Sequence, residues 1–395
     1  MTIVELLRFM AKNFVESIEY VFWGLFLLLS RKGRKNHPGQ DPEKILVVQL
    51  ASVGDVVMST PAIKRLKERY AGKRIDVLTA QNTGELLEND PNVDDVIKCS
   101  PRFWRSARYM VESVRTIRRL RENNYDICID LGGVFESVVW SSLAGTRFTL
   151  GPLRKIKRGP FSSSTRAFYG LSQKIECEHI LKRYLEVLKP LVGEAPFREG
   201  SESLSIPDEA RQECDRFLHD NALVSGNYAV IHPGAKWPPK RWPESHFARL
   251  IDLLSGETPI TPVLAGGRKD LPLLNRIRDI SENKKLVVAD DLSLLALASL
   301  IDKAAVFVGN DSGPSHIAAA VGTPLVALFG PTDPAVSAPV SDKMVLLHDK
   351  ISCWPCTMYY RRDRCEKGSN TCLQRIEPEM VFKALQKLME RCSET

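Results

Sequence analysis

From residue 44 onward the chain alternates short β-branched runs with helical patterns, and that alternation constrains its fold more than any other feature. Lys44 to Leu50, Arg74 to Thr79, Asp94 to Cys99 and Tyr125 to Leu131 read as strands, with helices over Pro61 to Tyr70 and Arg105 to Asn123. Short apolar runs bounded by turn residues suit strands buried on both faces, and strands alternating with helices suit a parallel sheet. A second series, Tyr228 to Ile231, Ile260 to Ala265, Leu286 to Val288, Ala305 to Val308 and Leu325 to Phe329, repeats the pattern. Between the two, Pro190 to Pro207 carries Gly, Pro, Glu and Ser with little periodicity and reads as a linker. At about 150 residues per domain, 395 residues fit two domains with additions. The expectation is an α/β protein with two doubly wound, Rossmann-like domains facing across a cleft, over 41–195 and 208–376. A last helix, Pro378 to Arg391 within 377–395, is free to pack back on the first domain.

Composition narrows the class without naming a function. Hydrophobic residues at 44% and charged residues at 26% exclude global disorder, collagen and a multi-span membrane protein. Nine cysteines are too dilute for a disulfide-stapled secreted scaffold, and Cys99 and Cys128 fall inside apolar strand runs, so a reducing compartment fits. Residues 3 to 29 are mostly apolar, but the uninterrupted part is only the ten residues Tyr20 to Leu29 before the basic Arg31-Lys-Gly-Arg-Lys35. A span needs about 20 apolar residues. With Glu5, Arg8, Lys12, Glu16 and Glu19 interrupting it, residues 1–40 read as an interfacial helix with a basic stop, with a helix packed on the protein or a partner, or a true span, as the alternatives. No signal-peptide pattern is present, since no basic region precedes the apolar stretch and no small-residue cleavage site follows it.

Three strand ends carry candidate chemistry. Val47 to Pro61 runs from strand through a glycine-bearing loop into a helix. Gly54 permits close backbone approach there, and Asp55 either takes a proton from an attacking hydroxyl or caps the helix. The absence of G-x-G-x-x-G argues against a dinucleotide enzyme. In Val306 to Ala320, Gly313 and Pro314 open a helix whose backbone N–H groups can cradle a diphosphate. Ser312, Ser315 and His316 line that end, whereas Asp311 is awkward beside an anion unless it orients the loop by accepting backbone N–H bonds. His232 to Pro243 is a proline-stiffened loop with Lys236, Lys240 and Arg241, suited to stabilising a leaving diphosphate, with an exposed basic loop over packed tryptophans as the plain alternative. Val263 to Lys269 adds Gly266 and Gly267 at a further strand end. No Asp-x-Asp pair and no His pair at metal-ligand spacing supports a metal-bridged diphosphate.

These segments, in this order, resemble glycosyltransferase family nine, the bacterial lipopolysaccharide heptosyltransferases, over about residues 44 to 391. Gly54-Asp55 matches that family's Gly-Asp, Lys240 to Pro243 its Lys-Arg-Trp-Pro loop, and Asp311, Ser312, Gly313 and His316 its Asp-Ser-Gly-x-x-His segment. The resemblance implies a GT-B fold with an ADP-heptose donor on the C-terminal domain and a lipid-linked saccharide acceptor on the N-terminal domain. It also implies inverting transfer with no required cofactor, with Asp55 as base and Lys240 on the donor phosphates. The place of action would be the cytoplasmic face of the bacterial inner membrane. The N-terminal apolar helix is no usual part of the pattern.

The net charge of +7 is unevenly spread: residues 31 to 35, 102 to 121 and 147 to 166 hold 17 basic residues and a single acid, Glu112. Arg115, Arg118 and Arg119 share one helical face in that set and are candidate contacts for an anionic acceptor or its lipid surface, with a solvated basic face as the plain alternative. No nucleic-acid module accompanies the charge. Cys353, Cys356, Cys365 and Cys372 have the composition of a thiolate site at atypical spacing, which leaves structural zinc open against reduced or paired thiols. Two other readings remain open: a transferase or epimerase using another nucleotide sugar, and a catalytically silent saccharide-binding protein of the same fold. Asp55 with Lys240 and His316 argues against silence.

Overall fold

Runs such as Ile45-Leu-Val-Val48 have no polar position to turn towards water, and all four side chains are buried. A strand buried on both faces needs parallel neighbours and helices on each side. The computed structural model describes residues 42–158, 161–165, 168–194, 202–356, 365 and 370–393, and divides into two units, each built on such a sheet. The interfacial helix expected at 1–40 lies outside the described residues. Among those described, no helix is long and apolar enough to cross a membrane.

In the first unit β1 (Lys44–Gln49), α1 (Val53–Arg69), β2 (Arg74–Ala80), β3 (Asp95–Cys99), α2 (Ala107–Glu122), β4 (Ile127–Asp130), α3 (Phe135–Leu143) and β5 (Phe148–Pro152) follow in order. A hairpin of β6 (Lys155–Arg158) and β7 (Phe161–Ser164), then β8 (Leu171–Gln173) and α4 (Ile180–Val192), complete it. The sheet order is β3-β2-β1-β4-β5-β8, parallel throughout. Its core gathers Phe103, Phe135, Trp140 and Phe168, with the Phe103 and Trp140 rings edge to face at 5.1 Å.

The second unit runs through α5 (Asp208–Asp220), β9 (Tyr228–His232), α6 (Glu244–Glu257), β10 (Thr261–Ala265), α7 (Leu271–Ile280), β11 (Val287–Ala289) and α8 (Leu294–Asp302). It continues with β12 (Val306–Asn310), α9 (Gly313–Ala320), β13 (Leu325–Phe329), β14 (Met344–His348) and α10 (Pro378–Ser393). Its sheet, β11-β10-β9-β12-β13-β14, repeats the first topology. Strand order reverses between β1 and β4 in one sheet and between β9 and β12 in the other, and ligands of such sheets bind beyond the strand ends at that reversal.

Several expectations are corrected. The first helix starts at Val53, not Pro61, so Gly54 and Asp55 sit in its first turn and not in a loop. The helix continues through Pro61 because the carbonyl of Val57, which the missing N–H would have served, accepts from Thr60 Oγ1 at 2.9 Å. Pro190 likewise lies inside α4, which shortens the expected linker. Helix α10 uses its apolar stripe within the second unit, where Val381, Phe382, Leu385 and Leu388 join the core around Trp242. Segment Ser52–Thr60 groups with the second unit, which otherwise spans Phe197–Thr395.

Glu202, within the connection that precedes α5, is in an unusual state. Its side chain is buried, its Oε2 has no hydrogen-bond partner among the described residues, and burial raises its pKa to about 7. Because the folded pKa lies above the unfolded one, protonation favours the fold. The stability present at low pH is lost as pH rises through 7. Glu202→Gln should therefore leave stability unchanged near pH 4 and raise it at pH 8 by on the order of 3 kcal/mol, read by urea unfolding at both pH values.

Candidate active site

The reversal point of the second sheet is where the polar residues converge. The loop leaving β9 is held by Asn310, the last residue of β12, whose side chain is fully buried. Asn310 Nδ2 donates to the Pro233 carbonyl at 2.8 Å, and its Oδ1 accepts from Trp242 N at 2.9 Å. Ser315 Oγ donates to the Asn310 carbonyl at 2.7 Å, which ties in the first turn of α9. Trp242 Nε1 donates to the Ile376 carbonyl at 2.8 Å, and Arg241 Nε closes the loop onto the Ala235 carbonyl at 3.0 Å.

On this frame Lys240 forms an ion pair with Asp311, and its ammonium also lies 4.9 Å from the centre of the Trp237 ring. The same carboxylate oxygen of Asp311 accepts from Thr332 Oγ1 at 2.5 Å. Asp311 thus orients its surroundings by accepting from two side chains, Lys240 and Thr332, not through the backbone N–H bonds expected of it. Thr332 and Asn310 were not singled out in the sequence, because a Gly-Pro-Thr turn and a strand-final Asn carry no chemistry of their own.

Ser312 is the N-cap of α9 and Gly313 its first residue. Ser312 Oγ is buried and has no hydrogen-bond partner among the described residues, and the same holds for His232 Nδ1 at the end of β9. Burial lowers the His232 pKa, so its imidazole is neutral at pH 7. A buried polar atom without a partner costs roughly 1–3 kcal/mol, so two of them at the reversal point of one sheet make it the candidate place for a polar ligand. Gly266 donates to the Ala289 carbonyl at 2.9 Å and Gly267 to Asp270 Oδ2 at 3.2 Å, which forms the neighbouring strand end. Lys236 is exposed on the loop that leaves β9.

Within the second unit the first turn of α1 lies against the first turn of α9. A Cβ on Gly54 would fall 2.5 Å from His316 Cδ2, and one on Gly313 would fall 2.7 Å from Val53 Cβ. Only glycine at both positions allows that approach. Next to Gly54, Asp55 Oδ2 accepts from Ser52 N at 3.2 Å and Ser52 Oγ at 2.6 Å. Asp55 is therefore a capping residue of α1, and the same bonds fix the direction of its carboxylate.

The first unit shows what sequence reading missed. Asp130, fully buried at the end of β4, accepts through Oδ1 from Gly132 N and Gly133 N at 2.9 and 3.0 Å. Through Oδ2 it accepts from Ser137 Oγ at 2.7 Å and Tyr169 Oη at 2.5 Å. Burial raises its pKa against those four bonds. Gly133 needs its positive φ of 59° to make this turn. On α2, Arg118 pairs with Glu122 and Arg119 with Asp95, while Arg115 is exposed. Cys353 is a half-buried free thiol, and the Cys372 thiol is pushed up to about 11, by burial first and then by its neighbours Cys356, Cys365 and Cys353. Among the described residues no group of three His, Cys, Asp or Glu side chains is arranged to hold a metal ion.

Two doubly wound parallel α/β units are the architecture of the GT-B class of sugar-transferring enzymes, and the comparisons with known proteins place the chain in that class. The sequence model of glycosyltransferase family 9 (heptosyltransferase) matches residues 113–367. Lipopolysaccharide heptosyltransferase 3 of Escherichia coli K12 is 30% identical over 294 residues, 74% of this chain and 84% of that protein. Among solved structures, E. coli ADP-heptose LPS heptosyltransferase II superposes with a TM-score of 0.70 at 25% identity, covering 89% of this chain and 99% of that one. A family 9 glycosyltransferase from Veillonella parvula gives 0.74 at 23% identity, covering 90% and 100%, which speaks for the fold. The chain belongs to glycosyltransferase family 9 and is a glycosyltransferase of GT-B fold.

Two substitutions test the geometry. Asp311→Asn leaves the Lys240 ammonium without its counter-charge and should lower stability by roughly 3 kcal/mol, with much of the loss recovered in Lys240→Met/Asp311→Asn. Additive losses in denaturant unfolding would show the pair to be uncoupled. Gly54→Ala forces His316 to move and should cut turnover at least tenfold while the protein stays folded by circular dichroism.

Proposed function

We propose that the chain transfers heptose from ADP-heptose to the inner-core saccharide of a lipopolysaccharide precursor, with inversion at the anomeric carbon. The observation that carries this reading is the pair of unsatisfied buried atoms, Ser312 Oγ and His232 Nδ1, at the reversal point of the second sheet. The two E. coli relatives, a lipopolysaccharide heptosyltransferase and an ADP-heptose LPS heptosyltransferase, supply the sugar and the nucleotide by similarity. In this reading the donor diphosphate lies over the start of α9. Ser312, the Gly313 N–H and His316 donate to it there, with Lys240 and Lys236 supplying positive charge. Gly266 and Gly267 leave room for the nucleotide. Asp311 is then a positioning residue that aims Lys240.

The chemistry follows from these assignments. Asp55, aimed by Ser52, takes the proton of the acceptor hydroxyl as the oxygen forms its bond to the anomeric carbon. The bond from that carbon to the diphosphate breaks on the opposite face, and the electron pair leaves with ADP. No cofactor is needed for such a displacement, since the leaving charge meets Lys240 and the helix end. The acceptor is anionic and lipid-linked, approached from the basic first unit with Arg115, Arg118 and Arg119 among its contacts. The site of action is the cytoplasmic leaflet.

Asp55→Asn keeps an acceptor for Ser52 but removes the base. It should lower kcat by about 10² to 10⁴-fold with donor affinity within twofold by calorimetry. Near-normal turnover in that variant would remove Asp55 from the role of base. Thermal-shift titration with ADP-, UDP- and GDP-sugars tests the donor separately, and stabilisation by a UDP- or GDP-sugar alone would replace ADP-heptose.

A further inference from the structure

Helix α2 places apolar side chains where a helix packed on a sheet needs none. Its inward face buries Ser113 and Leu120 and packs Ile117 on the core of the first unit. On the other side Met110, Val111 and Val114 are 50%, 61% and 65% exposed, one helical turn of uncovered apolar surface. Arginines frame it. Arg108 and Arg118 have 84% and 79% of their side chains exposed, each leaning on one glutamate of the same helix. Arg115, next to Val114, is exposed and has no carboxylate partner among the described residues. The helix holds five arginines against two glutamates.

We propose that this face of α2 docks on a bilayer surface bearing anionic phosphate headgroups, with Met110, Val111 and Val114 at the acyl boundary and Arg108, Arg115 and Arg118 among the phosphates. An apolar strip edged by guanidinium groups is what such a surface recognises. A second copy of the chain is disfavoured, because a two-fold contact through this face would set its arginines against their own symmetry mates. A protein partner is disfavoured by size: three side chains fall far short of the roughly 800 Å² per partner that a stable interface buries. The proposal leans on the lipid-linked acceptor reading for the identity of the surface. The docking rests on the exposed side chains themselves.

The test uses the full chain, with residues 1–41 present and contributing equally to every sample. Val111→Asp/Val114→Asp should lower partitioning onto phosphatidylcholine vesicles containing phosphatidylglycerol by roughly tenfold, and change little on phosphatidylcholine alone. Unchanged partitioning of the double variant overturns the proposal. A benzophenone side chain in place of Val114 should cross-link to lipid, while one in place of Val224, 65% exposed in the second unit, should not. Cross-linking of position 114 to a second copy or to residues 1–41, or no lipid adduct there, also overturns it. Transfer to an acylated acceptor in vesicles should fall in the double variant, and transfer to the same acceptor after deacylation should persist. Loss of both reactions would make these valines part of the saccharide site and overturn the docking role. Wild-type protein that transfers heptose to neither acceptor yet cross-links to lipid at 114 would overturn the heptosyl reading and uphold the docking.

Discussion

The candidate site hangs on one buried amide. Asn310 closes β12 and uses both side-chain groups and its carbonyl to tie three segments: the Pro233 turn, Trp242 at the end of the basic loop, and Ser315 in α9. A neutral amide suits this work, because a buried carboxylate could accept from Trp242 N but could not donate to the Pro233 carbonyl. With the loop so held, Lys240 reaches Asp311 at little further entropic cost. Trp242 turns its ring into the core around Phe247 and Val381, so the loop's position is set by apolar packing as much as by hydrogen bonds.

Much of this was legible in the sequence, for identifiable reasons. Strands buried on both faces announce themselves as β-branched runs, and β13 falls on Leu325–Phe329 as read. Strands β5, β8 and β14 and helix α3 were passed over. The two outermost are only half-buried, and α3 is apolar almost all round, so neither the 2.0 nor the 3.6 period stands out. The start of α1 was displaced by the ordinary rule that proline opens or breaks a helix. Thr60, one residue before Pro61, overrides it with a single side-chain bond that no window of propensities registers. The candidate-site residues legible in the sequence are those with charge or an N-terminal helical position. Residues that act by satisfying neighbouring polar groups, Asn310 at the candidate site and Asp130 in the first unit, are not legible there, because their role is set by partners distant in sequence. Tyr169, 39 residues from Asp130, is such a partner.

The charge distribution acquires a structural meaning at the level of single residues. Of the arginines gathered on α2, Arg118 and Arg119 are neutralised by Glu122 and Asp95, and such solvent-exposed pairs are weakly held. They are therefore free to exchange their carboxylates for phosphates at small cost. A strongly basic surface can in this way remain soluble in the absence of its anionic partner and still answer to it, provided its ion pairs are exposed. The Lys240–Asp311 pair is the opposite case. Both side chains are largely buried, so the pair holds its geometry and does not exchange readily.

The two units repeat one topology and use its reversal point differently. Beyond β4, Asp130 takes four hydrogen bonds from Gly132, Gly133, Ser137 and Tyr169, and every acceptor site of the carboxylate serves the protein itself. That end of the first sheet is a closed network, able to shape a surface but offering no carboxylate to a ligand. Beyond β9 and β12, Ser312 Oγ and His232 Nδ1 are left unsatisfied, and the neutral imidazole adds no positive charge of its own. Positive charge is supplied instead by Lys240, whose position Asp311 controls. Repetition of a topology thus need not repeat its use: filling the hydrogen-bonding capacity of one strand-end carboxylate makes that end structural, whereas two buried atoms left unfilled make the other end the candidate site.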